Sequence, residues 1–287
     1  MRLAADVVAG AYLQACLTEL QALKPGNVHV HAAGHGMTVA DFEASARASA
    51  GFVGQADTGI GACILRAVQA TRAVVGSNTN LGILLLSMPL AAASLDDNSG
   101  SLRARLAVRL ARLDVADAVE AFAAITLAEP GGLGESGDHD VKQPARATLR
   151  EAMGAARDRD RIARQYVTDF ADVFEIGLPR LRQCLVRWGD EAWSAASVHL
   201  GFLARFSDTH VARKFGVHRA EAISAMAAPL DAQLLAANDP EMLRPELFAF
   251  DALLKTDGIN PGTSADLTVA TLFARRLEDA MQQHTAA

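Results

Sequence analysis

Five short polar segments of this chain carry residue types that can do chemistry, and each sits where a helical pattern stops. The run Asp208-Thr209-His210 is followed by Arg213 and Lys214. One carboxylate and two cations within two turns suit a metal–triphosphate: the carboxylate takes the ion, the cations take phosphate oxygens. The same residues equally make a helix cap with a surface Asp–Arg pair. Asp138-His139-Asp140, behind Gly131-Gly132-Leu133-Gly134, sets two carboxylates around a histidine. That trio can bind a divalent ion or share a proton, or it is a solvated loop. The glycines lack the full dinucleotide fingerprint and follow no strand.

Gly76-Ser77-Asn78-Thr79-Asn80-Leu81-Gly82 opens an apolar helix with small residues and amides. The N–H groups at such a helix start favour an anion or a ribose, although no Walker ending is present. Lys24-Pro25-Gly26-Asn27-Val28-His29 places a lysine beside a rigid turn, where it can hold phosphate as a point charge. His29, His31 and His35 have loop spacing that could serve a metal, but without a zinc signature they read better as satisfied loop histidines. Asn260-Pro261-Gly262-Thr263-Ser264-Ala265-Asp266 enters the last helix, with Thr263 as cap and Asp266 completing a capping-box pair. Asp57-Thr58-Gly59 reads as an N-cap.

The elements that must position these joints are helices. Alanine and leucine dominate, aromatics are 5%, and no alternating Val/Ile run predicts a strand. The first helix spans 2–22, with Leu3, Val7, Leu13, Leu17 and Leu20 as its stripe. Thr38 caps the next, with Asp41 as its partner, running to about Gly54. Others fit 58–76, 79–95, 102–112, 115–128, 146–156, 158–175, 178–187, 190–206, 216–235, 240–255 and 263–283. Residues 129–144 form an ordered loop. The fold class is all-α, one globular multi-helix domain over 1–287, with polar helix joints forming a cleft.

Composition bounds the partners. The 287 residues are 51% hydrophobic, enough for a large core, and the formal net charge is −6 with no basic block, which argues against nucleic acid. The N-terminus lacks the unbroken apolar run of a signal peptide. The apolar run from Leu81 is shorter than the ~20 residues that cross a bilayer and contains Pro89, so it predicts a buried helix and no membrane. Cys16, Cys63 and Cys184 are widely spaced and read as reduced, buried thiols. The expectation is a soluble, cytoplasmic protein, with a homo-oligomer possible.

The joints KPGNVH at 24–29, SNTNLG at 77–82, SDTHVARKFG at 207–216 and NPGTSADL at 260–267 together resemble the motif series of the triphosphoribosyl-dephospho-CoA synthases, in order and along nearly the whole chain. The resemblance implies an all-helical enzyme. It moves the triphosphoribosyl part of ATP to 3′-dephospho-CoA and releases adenine, making the precursor of the prosthetic group on acyl-carrier subunits of citrate lyase and malonate decarboxylase. It implies substrate contacts from Lys24, Asn27, Asn78, Thr79, Asn80, Arg213, Lys214, Asn260 and Ser264. Mg2+ on the triphosphate falls to Asp208 and Asp140, and the base to Asp266 or Asp138. Two departures stand out: His210 where the family usually has Asn, and GGLGESGDHDV where it has a Gly-Glu-Ala…Gly-Tyr-Pro loop. They resemble a shorter branch, some members of which sit among genes for methanopterin-type one-carbon metabolism, and open the acceptor to another hydroxyl. Two further classes stand against the transferase: a nucleotide-dependent hydrolase and a non-catalytic binding protein.

Overall fold

The face that α1 (Ala5–Gln21) buries mixes large and small side chains with one carboxylate: Val8, Tyr12, Ala15, Cys16, Glu19 and Leu20. The computed structural model, which describes residues 2–131 and 140–286, thus shifts the expected stripe. Val7, Leu13 and Leu17 are only half-buried. This face packs on α2 (Val39–Val53) and α14 (Gly262–Ala286), and it includes Ala15, Cys16 and Glu19, which a search for bulky apolar residues passes over. Tyr12 spans the seam to α2 through Ser49 Oγ at 2.9 Å.

Thr38 and Asp41 form the expected capping box at α2. Asp57 does not cap α3 (Ile60–Val75); it lies in a short 3-10 turn and faces Arg2 at 3.7 Å. The α3 start is instead satisfied from α6 (Val115–Ala128), where Asp117 Oδ1 accepts from Gly61 N at 2.8 Å. A Cβ at Gly61 would overlap the Asp117 carbonyl oxygen, so this crossing requires glycine.

The apolar run forms α4 (Leu81–Ser94), buried on every side except at Gly82. It is the axis on which α3, α5 (Leu102–Ala111) and α14 pack. No helix of the described residues is long and apolar enough to cross a membrane. Thr148 opens α7 (Leu149–Ala156) with a capping box, three residues later than expected, and Asp160 caps α8 (Arg161–Val167).

The single helix expected over 158–175 breaks. Asp169 and Phe170 take φ of 49° and 57°, and a π-turn over Asp172–Gly177 leads into α9 (Leu178–Trp188). Tertiary contacts override the periodicity. Phe170 is wholly buried, Arg161 grips Asp172 bidentately at 2.7 and 2.9 Å, and Gln165 Nε2 donates to the same carboxylate at 2.6 Å. The remaining helices are α10 (Glu191–Arg205), α11 (Thr209–Phe215), α12 (Val217–Ala236) and α13 (Arg244–Thr256). Among the described residues fourteen α-helices and no strand make up the fold, as expected. Cys16, Cys63 and Cys184 are buried and unpaired with one another.

Candidate functional site

The four joints that share a motif series meet. Gly26, at φ 81°, backs onto the last one: a Cβ there would lie 2.7 Å from Pro261 Cδ and 3.0 Å from the Ile259 carbonyl oxygen. Asn27 Nδ2 donates to Asn260 Oδ1 at 2.8 Å, joining the first motif to the fourth. Thr263 Oγ1 accepts from His210 N at 3.2 Å and meets Thr209 Oγ1 at 2.9 Å, joining the third to the fourth. Thr263 therefore looks across to α11 and does not pair with Asp266 as a capping box. Gly82 joins the second to the fourth, because Asp266 Oδ2 occupies the space where its Cβ would be.

Between these joints lies a cavity of about 760 Å³, within the range of small-ligand sites. Asn27, Asn78, Thr79, Asn80, Arg213, Asn260, Asp266 and Asp140 line it. The start of α4, from Asn80 to Ile83, forms one wall, so the positive end of a helix dipole abuts the cavity. Asn78 Oδ1 accepts from Leu81 N at 3.1 Å, and Asn80 Nδ2 donates to Thr71 Oγ1 at 3.1 Å. Another part of the wall is apolar, with Phe42, Phe122, Ile125 and Met153.

Four expected site residues do not reach this wall. Lys24 is wholly buried, donating to the Glu19 carboxylate and to Asn27 Oδ1 at 3.0 Å. An ammonium out of water needs an anion, and Glu19 supplies it, so Lys24 is not placed on a phosphate. Asp208 Oδ1 accepts from the N–H groups of His210 and Val211 at 3.0 and 3.1 Å. Its Oδ2 accepts from Ser264 N and Oγ, both at 2.8 Å. Those four bonds clamp α11 to α14 and occupy Asp208 and Ser264 together, which removes both from the ligand-facing set. Lys214 is exposed on α11. Asp138 lies outside the described residues.

The carboxylates on the wall differ in what holds them. Asp160 Oδ1 caps α8, accepting from Ile162 N and Ala163 N at 2.9 and 3.0 Å, while its Oδ2 takes Arg213 Nη1 at 2.5 Å. Asp140 Oδ1 accepts from Lys142 N at 2.9 Å. Asp266 stands in none of these bonds. Burial pushes its carboxyl well above the usual range, and the charges of Asp208 and Glu19 push it further. Burial also raises Glu19, with Lys24 pulling it back. His210, on the wall, is pushed down to about 4 by burial and then by Arg213 and Lys214, so it is neutral at pH 7. A Cβ at Gly262 would overlap its Nδ1.

The histidines of the first joint serve the loop. His29 is buried with Nε2 3.4 Å from Asp251 Oδ2, and His35 Nε2 meets the Gly26 carbonyl oxygen at 2.8 Å. Asp251 on α13 also takes Gly26 N at 2.8 Å and Lys255 Nζ at 3.0 Å. Sequence reasoning missed Glu19, Arg72, Asp160 and the apolar wall. Glu19 had a signal, since it continues the 8, 12, 15 spacing of the buried face of α1.

Comparison with known proteins identifies the family. The family model described as ATP:dephospho-CoA triphosphoribosyl transferase matches residues 5–285. No curated protein matches the chain. A crystal structure from Archaeoglobus fulgidus, provisionally described as a triphosphoribosyl-dephospho-CoA synthase, superposes with a TM-score of 0.64 at 26% identity, covering 82% of this chain and 98% of that one. Neither match favours the hydrolase, the binding protein or a one-carbon acceptor. The chain belongs to the ATP:dephospho-CoA triphosphoribosyl transferase family and is an enzyme that transfers the triphosphoribosyl group of ATP to dephospho-CoA.

Proposed function

We propose that the cavity walled by the four motifs is where this transfer occurs, with the triphosphate held between Arg213 and the start of α4. The observation that carries this reading is the convergence of all four joints on one space: Asn27, Asn78 to Gly82, Arg213 and Asn260 share its wall. Backbone N–H groups at a helix start and a guanidinium are the two protein devices best suited to phosphate oxygens. Asn78, Thr79 and Asn80 take the ribose or the nearest phosphate. The apolar wall of Phe42, Phe122, Ile125 and Met153 receives the adenine ring and the less polar parts of dephospho-CoA.

Magnesium fits this wall as a companion of ATP. Among the described residues no group of three or more His, Cys, Asp or Glu side chains is set to hold an ion unaided. Mg2+ does not need one: it is held by one or two carboxylates plus phosphate oxygens and water. Asp140 is the wall carboxylate suited to that part, and the ion supplies neutralisation of the triphosphate.

The chemistry at the sugar needs a group to take a proton. The acceptor hydroxyl oxygen bonds to C1′ as the C1′–N9 bond breaks, and the electron pair leaves with adenine. Asp266 is the base: its raised affinity for a proton, and the lack of a bonded partner among the described residues, suit it to take the hydroxyl proton and return one to adenine. A cytoplasmic setting accords with ATP as substrate and with three unpaired cysteines. The test is incubation of the pure protein with Mg2+, ATP and dephospho-CoA. Adenine release that needs dephospho-CoA is expected; phosphate release without adenine would overturn the reading.

A further inference from the structure

Glu19 is a buried charge that the motif series does not contain. The residue is only 4% exposed, yet it borders the cavity. Behind it lies Lys24, wholly buried, whose ammonium bonds both the Glu19 carboxylate and Asn27 Oδ1. Asn27 in turn donates to Asn260 Oδ1, and both amides are on the wall. The layers are therefore ordered from inside outward: a cation, then a carboxylate and two amides facing the substrate space.

Such a pair is a poor device for stability alone. Taking two charges from water loses about as much as their attraction returns, and apolar residues of similar volume often do as well or better. The remainder of the buried α1 face, Val8, Tyr12, Ala15 and Leu20, shows that this helix packs without charge elsewhere. What a pinned anion does offer is field. As the C1′–N9 bond breaks, positive charge develops at the sugar carbon, and a carboxylate already oriented needs no reorganisation to stabilise it. Asp266, on α14 against α1, feels the charge of Glu19. Two carboxylates with different surroundings allow two roles: Glu19 is bonded to the Lys24 ammonium, whereas Asp266 forms no ion pair among the described residues and feels Arg213 only through its charge.

We propose that Glu19 is a catalytic carboxylate of the transfer, its fixed negative charge facing C1′ as adenine leaves, and that Lys24 is the positioning residue that aims it. This rests on the transferase reading above. Glu19 forms no covalent bond and moves no proton; the hydroxyl proton goes to Asp266 and the leaving electron pair to adenine.

The test compares Glu19→Gln, Lys24→Met and the double variant by adenine release and by urea unfolding, with Mg2+, ATP and dephospho-CoA. Each single variant leaves a buried charge without its partner, so both are expected to lose stability. The double variant removes both charges and is expected to regain most of it. Activity separates the roles: in the double variant kcat stays at least about a hundredfold below the parent while KM for ATP moves less than about threefold. A double variant with recovered stability and parental kcat would overturn the assignment and leave the pair purely structural. Rescue of Glu19→Gln by raised Mg2+ would place Glu19 at the metal and overturn it as well. If the parent itself releases no adenine, the transferase reading fails first; a parent that is active beside a fully active double variant fails only the role of Glu19.

Discussion

The segment around Asp208 and the segment around Asp266 are neighbours in space and opposite in use. Asp208 is ringed by four donors from two helices. Asp266, on the same helix as two of those donors, has none of them and borders the cavity. Burial raises both carboxyls; at Asp208 the bonds from Ser264 and Val211 pull back, whereas at Asp266 the surrounding carboxylates add to the rise. A motif therefore mixes two kinds of residue, one that builds the wall and one that faces the substrate. Residue type does not distinguish them; the partners do.

The sharpest way to break that contrast is to neutralise each aspartate with its amide. Asp266→Asn should lower kcat by about 10²- to 10³-fold, the range a positioned base supplies, with KM for ATP nearly unchanged. The same variant should be more stable than the parent at pH 7 and above. The sign follows from linkage: a carboxyl raised in the folded state prefers its proton, so ionising it opposes folding, and that penalty shrinks as pH falls through its folded value and is gone only once pH lies below the ordinary carboxylate range of the unfolded chain. The stability gap between the Asp266→Asn variant and the parent in urea melts should therefore close on acidification. A gap that widened instead would mean Asp266 is stabilised as the anion.

Asp208→Ala removes the clamp between α11 and α14. Four donors are orphaned at a buried site, so a loss of about 3 kcal/mol in urea unfolding is expected. Asp208→Asn keeps part of the clamp and should lose less. Titration of Mg2+ in the activity assay decides the other half of the comparison: its midpoint should stay within about threefold of the parent in Asp208→Asn. A large shift would return Asp208 to the metal.

Gly82→Ala probes how tightly the second and fourth motifs fit. The new methyl would overlap Asp266 Oδ2 and stand 2.8 Å from Ile162 Cδ1. Either the carboxylate or α4 must move, at about 1–3 kcal/mol, and kcat should fall about tenfold because the base is displaced. Full activity would show that the position of Asp266 is not critical.

Much of this was legible in the sequence because local rules act locally. The capping box at Thr38 and Asp41, the buried α4 and the joints at Lys24, Asn78 and Asn260 follow from short-range pattern. What was not legible depends on contacts that helical spacing does not set, whether the partners are near or far in the chain. The helix break at Asp169 and Phe170 is held by Arg161 and Gln165 gripping Asp172. Lys24 read as a phosphate ligand because nothing local shows that Glu19 stands against it across the end of α1. The same limit hid the burial of Asp208, whose second oxygen is satisfied by Ser264, 56 positions away.

The mildest expected effects separate two cations that the sequence treated alike. Arg213 borders the cavity, with Nη1 on Asp160 and a buried Nε that has no partner among the described residues. Its guanidinium is thus anchored on one side and has donating capacity left. Lys214, next in the chain, is exposed. Arg213→Lys keeps the charge but loses the fork, so KM for ATP should rise about tenfold, the loss of one charge-assisted bond. Lys214→Ala removes a screened surface charge and should change KM by less than about twofold at physiological salt. Steady-state kinetics at about 0.15 M salt measure both. The order matters more than either value: a larger effect at Lys214 would mean that the triphosphate lies outside the wall formed by Arg213 and the start of α4.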